Sequence, residues 1–293
     1  MKNQSILKIL IPLIAVLGLF AASMGVFYQT GGEPYAFTSH RGEDVMINGR
    51  GLYYHDTISS AAQQKGNDMV TLTVGVPLLA ISTWLAFRGS LRGRLLLTGT
   101  LGFFLYTYMS MSMLTAFNAL FLVYAAIFGL SLYAFILCMM SFDLKTLPPH
   151  FSKNLPRSWI AGLLFAVGGF LALAWLGMIV PTTLRGSTPA LQNTTSFVIQ
   201  AMDLVLIVPL AILAGILLLR RSAWGYLLAS VLVMKGISMG LAVSMMTINM
   251  KVAGTPESMA IVIPFMAITV VNLFAAFSLL KNVIEPARDA RQS

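Results

Sequence analysis

Residues 95–141 read LLLTGTLGFFLYTYMSMSMLTAFNALFLVYAAIFGLSLYAFILCMMS, and no side chain in the run is charged. A helix rises 1.5 Å per residue and the hydrocarbon core of a bilayer is about 30 Å thick, so one crossing takes roughly 20 apolar residues. The run is therefore too long for one crossing. It divides at Thr115–Asn118, where a polar tight turn fits, into spans 95–115 and 119–141. The same reading carried outward gives 7–27 and 69–87 before it, and 158–180, 197–219, 226–248 and 259–280 after it. The fold class is all-α integral membrane, with eight transmembrane helices.

Composition agrees. Of 293 residues, 57% are hydrophobic and 10% charged, against about 25% charged in soluble domains. The mean hydropathy of +0.82 excludes a soluble globular enzyme, a disordered chain and a disulfide-rich secreted module. A single cysteine, Cys138, makes no internal bridge. The net charge of +9 raises the question of nucleic acid, but the basic residues fall in short groups between apolar runs and form no phosphate-binding face.

Those groups set an orientation. With the N-terminus inside, Lys2, Lys8, Arg88, Arg92, Arg94, Lys145, Lys153, Arg157, Arg220, Arg221, Lys281, Arg288 and Arg291 are cytoplasmic. Arg41, Arg50, Lys65, Arg185 and Lys251 fall outside, and Lys235 lies within a span. Thirteen against five is a positive-inside distribution that needs an even number of spans and puts both termini in the cytoplasm. The first apolar run exceeds the 7–15 residues typical of a signal-peptide core, so it is expected to be a retained helix.

The chain also repeats. VPLLAISTWLAFRGSLRGRLLLTGTL at 76–101 aligns without a gap on VPLAILAGILLLRRSAWGYLLASVLV at 208–233, with nine of 26 positions identical. They are Val76/Val208, Pro77/Pro209, Leu78/Leu210, Leu85/Leu217, Arg88/Arg220, Ser90/Ser222, Gly93/Gly225, Leu95/Leu227 and Leu96/Leu228. Both segments run from the second helix of a four-helix set through a basic turn into the third. The expectation is two parallel repeats, 1–142 and 158–293, joined by a cytoplasmic linker at 143–157.

One long loop, residues 28–68, reads as an ordered extracytoplasmic lid. Tyr35–Ser39 and Val45–Ile47 pair as short strands around Arg41–Asp44, Asn48–Gly51 makes a second turn, and Asp56 or Thr57 caps a short surface helix over Ile58–Lys65. Asp68 then opens the second span. His40, His55 and Asp56 match no metal-ligand spacing, so no metal is expected. Tyr53 and Tyr54 read as interfacial aromatics rather than a ligand cage.

GRGLYYHDTISSAAQQKGNDMVTLTVGVPLL, RGSLRGRLLLTGTLGFFLYTYM and FNALFLVYAAIFGLSL, within residues 40–142, carry a resemblance to an uncharacterised group of bacterial polytopic inner-membrane proteins. The resemblance implies a bacterial inner-membrane setting. It brings no activity, substrate or catalytic residue.

Ionisable groups inside a bilayer are costly and mark function by default. Asp203 lies about 9 Å below the outer end of its helix and Lys235 about 18 Å below the outer end of its own, at helical rise. Helical side chains lean toward the N-terminus, which carries Lys235 inward, so direct contact is disfavoured and a water or Gln200 is expected between them. Gly236 and Gly240 after Lys235 give the small-xxx-small spacing of close helix packing. No phosphate loop, zinc motif, paired intramembrane histidine or facing carboxylate pair is present, which disfavours an enzyme and implies no cofactor or catalytic residue.

Three readings stay open. The first is small-molecule transport, with a polar cavity between repeats contacted by Asp203, Lys235 and Gln200 beneath a lid carrying Tyr53, Tyr54, His55, Asp56 and Asp68. The second is a sensor, assembly or accessory protein whose lid meets a membrane protein partner. The third is a membrane enzyme on a lipid-like substrate. The bilayer is the partner common to all three.

Overall fold

The computed structural model describes residues 4–255 and 259–285, and for 259–262 the backbone alone. Lys2, Arg288 and Arg291 lie outside the described residues. Among the described residues the chain folds into helices α1 (Gln4–Phe27), α2 (Ile58–Phe87), α3 (Leu91–Leu114), α4 (Phe121–Met139), α5 (Arg157–Leu184), α6 (Val198–Leu219), α7 (Ala223–Val252) and α8 (Met259–Lys281). Strands β1 (Tyr35–Thr38) and β2 (Asp44–Ile47) pair antiparallel in the loop after α1.

Seven of these helices, all but α3, are long and apolar enough to cross a membrane, so this is a polytopic membrane protein. The helix that falls short is the most enclosed. Helix α3 packs on α2, α4 and α7 and buries Thr98, Thr100, Thr107 and Tyr108. A helix walled by protein can carry such groups because its neighbours, not lipid, surround them.

Helix α2 departs from the expected boundary. It runs unbroken from Ile58, so the surface helix over Ile58–Lys65 and the span beginning near Asp68 are one element. Gln64, Asn67 and Asp68 are buried, with Gly66 against the α7 backbone, where a Cβ would meet Met246 Cα at 2.7 Å. Hydropathy rejects this segment because its polar face is buried inside the bundle. The rest of the loop matches the expectation: Tyr35↔Ile47 through Thr38↔Asp44 pair, Gly42, Gly49 and Gly51 make the turns with positive φ, and Thr57 caps α2 by accepting from Ser60 N–H.

Each of α2 and α6 widens into one π-turn at the same place relative to its proline. Thr71–Gly75 precedes Val76-Pro77, and Asp203–Ile207 precedes Val208-Pro209. Both helices end at an arginine followed by a residue with positive φ, Gly89 or Arg221. Ser90 and Ser222 then start α3 and α7, with Gly93 and Gly225 tucked against the ends of α2 and α6. Packing runs in the same order, α1·α2, α2·α3, α3·α4 and then α5·α6, α6·α7, α7·α8, while α2 and α3 join the halves through α7.

At the end opposite the lid, the segment after α8 folds back. Glu285 accepts from the N–H groups of Leu91 and Arg92 and from Ser90 Oγ, capping α3 with a carboxylate where the helix dipole favours one. Val283 bridges Phe151, and these two are separated by as many residues as Val76 and Val208. Phe151 in turn stacks on Tyr226 of α7, ring centroids 4.7 Å apart.

Gly99 of α3 lies against Met234 and the Lys235 backbone with no room for a side chain. Gly99→Val is expected to cost about 1–3 kcal/mol through overpacking, whereas Gly162→Val, in open space, is expected to be neutral. Cys138, fully buried and the chain's one thiol, reports the difference: a thiol-reactive fluorophore will react at lower temperature in Gly99→Val only.

Candidate functional site

Asp203 is the first residue of the α6 π-turn and is buried among apolar neighbours. An unpaired carboxylate there would be costly. It takes two donors from two other helices: Tyr106 Oη of α3 at 2.6 Å on Oδ1 and Trp175 Nε1 of α5 at 2.9 Å on Oδ2. The Lys235 ammonium of α7 sits over the Tyr106 ring, 4.2 Å from its centroid. Its stem lies beside Gly102 of α3.

Asp203 and Lys235 are thus brought together with an aromatic ring between them. Among the described residues, no ion pair joins them within 4.0 Å. Gln200, one of the two intermediaries considered, lines a different cavity. Tyr106 bonds Asp203 through its hydroxyl and carries the Lys235 ammonium on its ring, and Trp175 was missed entirely. The only sequence signal for Trp175 is an amphipathic ring in an otherwise aliphatic stretch of α5.

The cluster faces a chamber of about 440 Å³ bounded by α3, α5, α6, α7 and α8, with Gln63, Gln64 and Asn67 of α2 at its lid end. Its walls are mostly apolar, among them Leu164, Phe170, Met239 and Phe265, which is the usual make-up of a small-molecule site. A second cavity of about 490 Å³ lies on the lid side, lined by His55, Asp56, Gln192, Asn193 and Gln200. The two share Gln63, Gln64, Leu114, Trp175 and Ile199. They are therefore stacked, with the ring that holds Asp203 at the junction.

The lid and the α5–α6 loop close over the outer cavity together. Arg41 Nη2 donates to the Thr195 carbonyl at 3.0 Å, Leu191 N–H to Glu43 Oε1 at 3.2 Å, and Thr57 Oγ1 to Gln192 Oε1 at 3.4 Å. Gln192 adopts φ +54, a conformation rare outside glycine and found where surroundings over-determine it.

The other lid residues separate. Tyr53 is not an interfacial aromatic: it is 1% exposed, and its hydroxyl donates to Asp68 Oδ2. Burial and the Asp68 charge push that hydroxyl well above its ordinary pKa, so it stays a donor. Asp68 is sealed by Gly25 of α1 and does not reach either cavity. Tyr54 is half-exposed against Tyr35 and His55. Among the described residues, no three His, Cys, Asp or Glu side chains converge as a metal site requires.

Compared with known proteins, the chain matches no family model, no curated protein and no solved structure.

Asp56 gives the lid a pH dependence. Burial pushes its carboxyl up to about 6, opposed by hydrogen bonds from Ala116 N–H and Ser60 Oγ, while Oδ2 is buried without a partner. Between about pH 4 and 6 the closed lid therefore binds more protons than an open one, and closure strengthens as pH falls. Hydrogen-exchange protection across residues 53–60, taken relative to the intrinsic rate at each pH, is expected to be higher at pH 5 than at pH 7.5. In Asp56→Asn the difference should vanish.

Proposed function

We propose that the protein is a carrier for a small molecule that binds beside Asp203, Tyr106 and Lys235 and enters from the lid side. The observation that carries this is the pair of stacked cavities, which leads from beneath the lid to a cluster of ionisable groups deep in the apolar bundle. Charged groups at such depth mark ligand pathways in membrane proteins.

In this reading α3 is an eighth span and the halves are parallel repeats. The matched π-turns, prolines, arginine turns and serine starts support the repeat, as does the Phe151–Val283 pairing at the same sequence offset. Pro77 and Pro209 lack an N–H and each π-turn leaves the helical ladder imperfect, so the two kinks are natural hinges. The setting in this reading is a bacterial inner membrane, and the distribution of the basic residues supports a lid outside and both termini in the cytoplasm.

A second reading, an accessory protein that docks a membrane partner, has one observation in its favour: the ribbon exposes Tyr35 and Phe37 on one face.

Cysteine labelling in a Cys138→Ser background tests the orientation and the entry path. A membrane-impermeant maleimide added outside should label Arg50→Cys and not Arg221→Cys. It should reach Ser110→Cys, inside the chamber, and faster when Trp175→Ala opens the junction. Labelling of Ser110→Cys from the cytoplasmic side alone would overturn the outward entry.

Asp203→Asn weakens hydrogen bonds to a charged group, about 1.5–3 kcal/mol and so roughly tenfold or more in function. Efflux from vesicles loaded with small solutes of a cell extract, followed by mass spectrometry, should fall by that factor when measured well below the variant's own Cys138 unfolding temperature. Unchanged efflux of every solute would remove the carrier reading.

A further inference from the structure

The polar groups around the chamber differ in whether they still have bonds to give. Asp203 does not stand out, since each of its oxygens already accepts a hydrogen bond. Lys235 does. Its ammonium carries three donors, and the one contact described for it is the face of the Tyr106 ring. Among the described residues no protein oxygen accepts a hydrogen bond from it, although its side chain lines the chamber. Two further lining groups are buried without partners: Thr107 Oγ1 and Asn67 Oδ1.

The remaining wall is apolar and reaches the edge of the bundle. Phe170, Leu171, Phe265 and Ile268 come from α5 and α8. These two helices meet in few places, one of them the edge-to-face contact of Phe170 with Phe265 at 5.6 Å between centroids. An elongated apolar group seated in the chamber would therefore extend along this wall toward the lipid-facing side of α5.

Resting on the carrier reading above, we infer that the chamber takes an amphiphilic anion: an acidic head, carboxylate or phosphate monoester, on a single apolar chain. The head accepts from the Lys235 ammonium, with the Thr107 hydroxyl as a further donor on the wall. The chain lies against Leu164, Phe170, Leu171 and Phe265. A cation is disfavoured because Lys235 meets it first. A purely polar solute leaves the apolar wall unmatched, and a neutral amphiphile leaves the ammonium unpaired in a low-dielectric site. Met239 and Met246 in the lining suit a chain of variable shape, as methionine adapts to irregular surfaces.

The test is binding to the full-length protein in lipid nanodiscs, read by native mass spectrometry. Four probes share one chain length: dodecanoate, dodecyl phosphate, dodecanol and dodecyltrimethylammonium. Wild type is expected to hold at least one of the two anions about tenfold or more above the alcohol, the worth of one charge-assisted hydrogen bond. The preference between the two anions separates a carboxylate ligand from a phosphate one. Lys235→Met should erase the anion advantage and leave dodecanol binding unchanged, and Lys235→Arg should keep part of it. The unfolding temperature reported by Cys138 guards against a fold defect.

Equal binding of anions and alcohol, tighter binding of the cation, or an anion advantage that survives Lys235→Met would each overturn the inference. Leu171→Trp, which fills the chamber from its apolar wall, separates this from the carrier reading. It should weaken all four probes. If it weakens them without any charge preference in wild type, the chamber stands and the anion fails. If it leaves them all bound, the chamber is not the site and both fall.

Discussion

A carboxylate buried in an apolar bundle must find its donors within the protein, and Asp203 finds them on two different helices. Tyr106 reaches it from α3 and Trp175 from α5. Each bond carries the premium of a charged acceptor in a low-dielectric surrounding. Together they set where α3 and α5 stand relative to α6, and the space that these helices leave toward α7 and α8 is the chamber. The placement of Asp203 at the first position of a π-turn belongs to the same constraint. An inserted residue rotates the side chains before it relative to those after it, so the polar group can face inward while Pro209 and the leucines beyond keep their apolar packing.

The first half meets the same problem with the opposite outcome. Asp68 also sits just before a π-turn and also takes a tyrosine hydroxyl, that of Tyr53. There the surrounding volume is filled. Phe103, Phe104, Tyr108 and Tyr124 are 0–1% exposed, and α1 closes over the top through Gly18 and Gly25. Helix α5 has no comparable glycine contact on α3, and it meets α8 sparsely. One half is thus a closed core that anchors the lid through Tyr53, and the other half keeps its interior open. If the halves are the repeats proposed above, a binding site between them is expected from symmetry alone. What the packing adds is the asymmetry, since most of the chamber wall comes from the second half, with α3 and the lid end of α2 as the first half's share.

The sequence carried the helices because length and apolarity are local properties. Every expected span has its helix, and most ends agree within a few residues. It failed at α2, where Gly66, Asn67 and Asp68 look like loop until α7 and Tyr53 are known to pack on them. The strands and the Thr57 cap were legible because turns and caps are written in adjacent residues. Asp203 and Lys235 were visible as charges out of place. Tyr106 and Trp175 were not, because their role depends on which faces of α3 and α5 turn toward α6, and hydropathy averages over faces. The direction taken by Lys235 was hidden for a related reason. Rotamer preference describes a helix alone, whereas the Lys235 ammonium is held over the Tyr106 ring of a neighbouring helix.

That ring decides what the cluster can do. Had Lys235 met Asp203 directly, each charge would have spent itself on the other, and a closed ion pair offers an incoming molecule little to bind. The ring of Tyr106 stands between them instead. Its hydroxyl serves Asp203 and its face stabilises the ammonium, a contact worth on the order of 2 kcal/mol when desolvated yet one that uses none of the three N–H donors. The lysine is thereby held charged and in place without being hydrogen-bonded. A site built this way keeps its strongest donor free for a ligand, and the cost of leaving it free is partly offset by a ring that is already fixed by the neighbouring carboxylate.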